Sequence, residues 1–169
     1  MRTDPIRVSR LVVLCGAAVA VALGYSSMAR AEAPRPAGPA AAVASGENYE
    51  VALVPPAAAR PGAPATAKVV VKAKGPYHVN KDYPMAFRPD AAASTVTFAG
   101  DKVPLNQAGA ERTACKDHPG ESCAVASPLP FTAKAAGEAK LAGVVAFSVC
   151  NPERCLIEKV PVTASVAAK

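Results

Sequence analysis

The sequence predicts an all-β protein, an immunoglobulin-like β-sandwich preceded by a signal peptide and a tether rich in Pro and Ala. Short runs of β-branched and aromatic residues recur after residue 46, and Pro, Gly and Asn-Pro turn signals separate these runs. No segment after residue 46 shows a helical period, and the chain contains 17 prolines. Seven to nine short strands are therefore expected in one domain spanning residues 47–169.

The first residues have the pattern of an export signal. Three arginines precede an apolar run over residues 11–24, and the small residues that follow end in Ala29-Arg30-Ala31. This order is typical of a cleavable signal peptide over residues 1–31. The 14-residue run is shorter than the about 20 residues that a membrane helix needs. We expect a periplasmic or secreted protein with no membrane span after cleavage; retention of residues 1–31 as an anchor is the alternative.

The charge of the chain indicates solubility rather than nucleic-acid binding. The formal net charge is +6, but the chain beyond residue 31 keeps 15 basic and 12 acidic residues, or +3. These charges are scattered, and the aromatic residues are four Phe and four Tyr without Trp. A nucleic-acid surface requires a basic stripe with stacking aromatics. We expect a monomer that does not bind nucleic acid.

The segments of the exported chain follow in order. Residues 32–46 lack apolar periodicity and are predicted to form a flexible tether. Structure is expected to begin near Glu47, and the polar segment 109–122 is predicted to be a loop. The predicted strands lie within residues 47–54, 66–74, 77–80, 83–88, 94–98, 128–134, 141–150 and 155–166.

Four cysteines belong to the exported chain. Cys15 lies inside the apolar run and is expected to leave with the signal peptide, whereas Cys115, Cys123, Cys150 and Cys155 remain. An even number of cysteines in an exported protein favours disulfides over metal sites or free thiols.

Cys150 and Cys155 flank a predicted hairpin loop. Asn151-Pro152-Glu153-Arg154 separates two β-patterned runs, as in a hairpin built on a type I turn. Opposed Cα atoms in antiparallel strands lie about 4.5–5.5 Å apart, within the range that a disulfide accepts. Side-chain alternation puts both cysteines on the less buried face of the hairpin. The opposite face, which contains Phe147, is predicted to face the core. The sequence does not explain why the charged residue Glu158 also falls on that core face. The spacing alone leaves open a structural staple and a redox pair.

The other candidate residues favour structural roles. A disulfide between Cys115 and Cys123 would close a compact polar loop. A metal site made of Cys115, His118 and Cys123, with Asp117 nearby, does not have a standard zinc spacing, so neither a metal nor a cofactor is predicted. His78 is expected to be a hydrogen-bonded structural histidine.

The same residues carry a resemblance to a known family. FSVCNPERCLIEKVPVTASV (147–166) is similar to the end of the N-terminal periplasmic domain of DsbD-type thiol:disulfide interchange proteins, the disulfide bond corrector family. VVVKAKGPYHVN (69–80) and PLPFTAKAAGEAKLAGVVAF (128–147) look like earlier segments of that domain.

The resemblance implies an immunoglobulin-like domain with Cys150 and Cys155 as its redox thiols. Its partners would be thiol and disulfide proteins of the cell envelope, and a loop near Cys115 and Cys123 would cap the idle redox pair. Complete family members continue into a membrane domain and a thioredoxin-like domain, so the electron donor and acceptor of this chain are expected to be separate proteins. The competing hypothesis is a non-catalytic, disulfide-stapled sandwich that binds another envelope protein.

Overall fold

The computed structural model describes residues 41–107 and 109–169, and within them it confirms the all-β prediction. Eleven strands pair in antiparallel fashion, and the described residues contain no helix. No helix long and apolar enough to cross a membrane occurs in this part of the chain. The predicted signal peptide lies outside the described residues. The strands are β1 (Ala42–Ser45), β2 (Tyr49–Val54), β3 (Pro64–Ala73), β4 (His78–Val79), β5 (Ala86–Pro89), β6 (Val96–Phe98), β7 (Val103–Pro104), β8 (Glu111–Ala114), β9 (Ser122–Ala133), β10 (Gly137–Cys150) and β11 (Cys155–Ala168).

The strand order brings distant segments of the chain together. Neighbouring strands follow the order β1-β2-β3-β9-β4-β10-β5-β7, while β11 pairs with β10, and β6 and β8 pair with β9. Strand β11 also contacts β1 and β2, at the other end of this order. The sheet therefore folds back over itself around a shared core, an arrangement consistent with a β-sandwich.

The core forms from alternating residues of the longer strands, as period-2 patterning requires. In β3, Val69 and Val71 are fully buried while the flanking Lys68 and Lys72 are exposed. Strands β2, β9 and β10 continue this apolar layer with Leu53, Leu129, Leu141 and Phe147, all without measurable exposure.

Three strands, β1, β7 and β8, lie where the sequence predicted none. Strand β1 falls inside the predicted tether and pairs with β2, so the ordered domain begins before Glu47. Its Ala42 and Ala44 pack against the core, but alanine provides too weak a hydrophobic pattern to reveal this. Strand β8 falls inside the predicted loop 109–122; all four of its residues are exposed, and backbone pairing with β9 holds it in place.

Strand β9 tolerates two prolines because of where they stand. Pro128 and Pro130 pair with β3, but on the other side of β9 they lie between the residues paired with β8 and those paired with β6. Proline lacks the N–H group that a second neighbouring strand would need, so it is accepted where such a neighbour is missing.

Candidate functional site

The hairpin of β10 and β11 has the predicted register. Val145, Phe147 and Val149 stand opposite Val160, Glu158 and Leu156, and Cys150 stands opposite Cys155. The three β10 residues are fully buried, which confirms that this face is the core face.

The turn between the two cysteines is closed by its own hydrogen bonds. The backbone N–H of Asn151 donates to the carbonyl of Arg154 at 2.9 Å. The Asn151 side-chain oxygen accepts the N–H groups of Glu153 and Arg154 at 3.0 and 2.8 Å. Asn favours such turns because its side chain mimics a backbone acceptor. Cys150 and Cys155 therefore form the next cross-strand pair, at a position where side chains approach closely.

Loss of the Asn151 acceptor should weaken this turn. We expect Asn151→Ala to lower the free energy of unfolding by about 1 kcal/mol, because two backbone N–H groups lose their partner. Urea denaturation followed by circular dichroism measures the change. Asn151→Asp is the matched control, since a carboxylate accepts the same two bonds. Equal losses in both variants would contradict this account of the turn.

Cys150 and Cys155 are joined in a disulfide whose two ends differ in exposure. The S–S distance is 1.97 Å and the Cα atoms lie 4.0 Å apart. Cys155 is exposed, whereas Cys150 retains only 6% exposure. The prediction that both lie on a less buried face is therefore wrong for Cys150. Strand β10 is an interior strand at this end, with β11 on one side and β4 on the other, whereas β10 is the only strand of the described residues that pairs with β11 near Cys155.

The surroundings of the hairpin explain Glu158 on the core face. Glu158 is only partly buried, and its cross-strand neighbour is Phe147. The ring of Tyr49 packs edge-on against Phe147, with ring centroids 5.1 Å apart. Burial raises the pKa of the Tyr49 hydroxyl, and the negative charge of Glu158 raises it further. The Glu158 carboxylate thus lies at the edge of the core beside a phenol rather than within it.

Arg154 connects the turn to Tyr77, the residue that precedes β4. Its Nε and Nη2 atoms each lie 3.4 Å from the hydroxyl of Tyr77, a residue that is only 5% exposed. The hydrogen bond to Tyr77 raises the pKa of Arg154 further above its already high value. A permanent positive charge therefore stands next to Cys155 in the sequence.

The second disulfide closes a polar loop, as predicted. Cys115 and Cys123 are bonded at 2.02 Å with Cα atoms 4.8 Å apart. Within the loop, Cys115 N–H donates to the Glu121 carbonyl at 3.0 Å, and Glu121 N–H donates to the His118 carbonyl at 3.1 Å. Because the two sulfurs are bonded to each other, they are not available as thiolate ligands for a metal. The described residues contain no group of three or more His, Cys, Asp or Glu side chains placed to hold one.

Removal of this disulfide should destabilise the domain more than loss of the Asn151 acceptor does. The Cys115→Ala, Cys123→Ala double variant is expected to lose about 2.5 kcal/mol of unfolding free energy, because a short closed loop no longer restricts the unfolded chain. Chemical denaturation of the variant and the parent, both with Cys150–Cys155 oxidised, tests this. A loss below about 0.5 kcal/mol would mean that the loop is held by its other contacts.

The polar loop reaches the neighbourhood of Cys150 through β4. Ser122 pairs with Val79, and Val79 pairs with Val149, so a single strand separates the end of the loop from β10. Cys155 nevertheless remains exposed, so the loop does not cover this end of the pair.

His78 is the site residue whose placement the sequence did not predict. It stands directly opposite Cys150, and its Nε2 lies 3.7 Å from a carboxylate oxygen of Glu121. Its ring centroid is 6.0 Å from that of His118. The Nδ1 atom is buried and has no hydrogen-bond partner among the described residues, contrary to the expected hydrogen-bonded structural histidine. Since β4 has only two residues, no alternation pattern could have revealed this pairing.

No protein-family model matches the chain, and no curated protein is significantly similar to it. The resemblance to the DsbD-type domain therefore remains a prediction from the sequence motif.

Proposed function

We propose that this protein is an exported thiol–disulfide exchange domain that acts through Cys150 and Cys155. The observation that carries the proposal is a disulfide at a hairpin tip with one exposed and one buried cysteine. An incoming thiolate needs access to one sulfur, and the other sulfur must leave without rearrangement of the fold. The self-closed turn supports the second requirement, because the strands stay paired by hydrogen bonds when the sulfur–sulfur bond breaks.

The exchange follows from the exposure of the two cysteines. A partner thiolate attacks Sγ of Cys155, the Cys155–Cys150 bond breaks, and Cys150 leaves with the electron pair as a thiolate. A second partner thiolate then attacks the partner sulfur of this mixed disulfide and releases the Cys155 thiolate. Two electrons have entered this domain, and the partner dithiol has become a disulfide. The reverse sequence delivers the electrons to an oxidised partner protein of the cell envelope.

The reduction potential of the Cys150–Cys155 pair tests the proposal. Mass spectrometry of alkylated thiols across a glutathione series gives the potential of each disulfide separately. We expect a midpoint above about −300 mV for Cys150–Cys155, in the range of labile exchange disulfides, and one below that value for Cys115–Cys123. A midpoint below about −300 mV for Cys150–Cys155 would overturn the proposal and favour the non-catalytic, disulfide-stapled binding module.

A further inference from the structure

His78, Cys150 and Cys155 form one row across three neighbouring strands. Cys150 pairs with His78 of β4 on one side and with Cys155 of β11 on the other. Directly opposed residues project from the same face of a sheet, with Cβ atoms about 4.5–5.5 Å apart. On this face of the sheet, Cys150 therefore stands between its disulfide partner on one strand and a histidine on the other.

We infer that His78 is a catalytic residue that donates its Nδ1–H to Cys150 as this sulfur leaves as a thiolate; this rests on the proposed exchange function. In the disulfide state Nδ1 is buried without a hydrogen-bond partner. A buried polar atom in that condition is costly, and such atoms need a specific explanation. A disulfide sulfur carries no charge and attracts an N–H group only weakly. Reduction creates a charged acceptor on the strand position facing His78.

The other polar neighbour of Cys150 cannot replace His78 as a proton source. The Ser148 hydroxyl lies 3.9 Å from Sγ of Cys150, at the long limit of a hydrogen bond to sulfur. A hydroxyl carries no positive charge, whereas a protonated imidazole combines charge with a donor. In a site where Cys150 is 6% exposed, water stabilises a new thiolate poorly, so the imidazolium becomes its main partner.

Charged and aromatic groups of the neighbouring loop lie next to His78. The Glu121 carboxylate holds Nε2 at 3.7 Å, and its other oxygen lies 3.8 Å from the ammonium of Lys81. The ring of His118 faces His78 from the same loop. Glu121 and His118 both belong to the loop closed by Cys115–Cys123, so this disulfide restricts the position of the carboxylate next to His78.

The electron and proton movements are those of a general-acid-assisted exchange. The partner thiolate forms a bond to Sγ of Cys155, and the pair of electrons in the Cys155–Cys150 bond passes to Sγ of Cys150. The Nδ1 proton of the His78 imidazolium is donated to that sulfur, which leaves a neutral imidazole. In the reverse reaction the imidazole takes the proton back as the Cys150 thiolate attacks the mixed disulfide.

The test is the rate at which dithiothreitol reduces the Cys150–Cys155 disulfide between about pH 5.5 and 8, the range in which histidine side chains change charge. Dividing the parent rate constant by that of His78→Phe at each pH cancels the titration of the reductant. We expect a ratio of about 10 at pH 5.5 that falls to within about twofold of 1 at pH 8. Mass spectrometry of alkylated peptides follows each disulfide separately, and the Cys115–Cys123 rate serves as the internal reference.

Two further variants keep the inference falsifiable. His118→Phe changes the neighbouring histidine, which does not pair with Cys150. The parent rate constant divided by that of His118→Phe should stay within about twofold of 1 at every pH. Glu121→Gln leaves His78 in place but removes the negative charge that lies 3.7 Å from its Nε2, and the reduction rate should fall about threefold at pH 5.5. If His78→Phe shows no pH-dependent ratio, or if His118→Phe gives the same profile, the inference is wrong. Those outcomes leave the exchange function intact, whereas a parent midpoint below about −300 mV would overturn the function whatever the variants do.

Discussion

Replacement of Cys150 by serine is expected to abolish electron exchange, with a loss of at least about 100-fold in the rate of partner turnover, while Cys155 forms a stable mixed disulfide. The exposed Cys155 thiol still reacts with a partner disulfide, but no second thiol stands opposite it to resolve the product. Incubation with an envelope extract under oxidising conditions, followed by non-reducing electrophoresis and mass spectrometry, detects the trapped species and identifies the partner cysteine.

The reciprocal variant is the control for this prediction. Cys155→Ser leaves only the Cys150 thiol, which is 6% exposed. It should form mixed disulfides much more slowly, although it too lacks the disulfide. Both variants should lose a similar amount of unfolding free energy, about 2 kcal/mol for so short a closed loop. Equal trapping through both cysteines would contradict the roles assigned from their exposure.

The largest expected change in stability comes from Phe147. Its side chain has no solvent exposure and packs edge-on against Tyr49 under the hairpin. Phe147→Ala should lower the unfolding free energy by about 3–5 kcal/mol, because burial is lost and a cavity remains between the strands. The midpoint and slope of a urea unfolding curve measure this directly.

Ile157 provides the matched comparison on the partner strand. Its side chain is 63% exposed, next but one along the strand from Cys155. Ile157→Ala should change the unfolding free energy by no more than about 0.5 kcal/mol. If Phe147→Ala cost less than about 1.5 kcal/mol, the hairpin would not pack on the core as described.

The hairpin that carries the cysteines could be predicted from the sequence because its information is local. A four-residue turn segment with Asn and Pro fixes which residues face each other, and alternation then fixes the buried side. The pairing of Phe147 with Glu158 follows from the length of the turn, and the structure confirms this pairing. The role of Glu158 did not follow, because it depends on Tyr49 from a distant strand.

The placement of His78 and the burial of Cys150 could not be predicted in this way. Both depend on β4, a strand of two residues that joins β9 to β10. Its neighbours are set by pairing with segments 43 and 72 residues further along the chain, and two residues have no pattern that identifies a partner. Strand β8 was missed for a related reason, since a fully exposed polar strand has no apolar face to reveal it.

The hydrogen-bonded turn at Asn151 also bears on how long a partner remains attached. Because Asn151, Glu153 and Arg154 hold the strand ends together without the sulfurs, a reduced pair behaves as two reactants at high effective molarity. When the reduced pair attacks an oxidised partner, the mixed disulfide on Cys155 then meets the Cys150 thiol within the same molecule, faster than it meets a second protein. Partners of the native protein should therefore dissociate quickly after electron transfer, and the lifetime of the covalent complex should be independent of protein concentration.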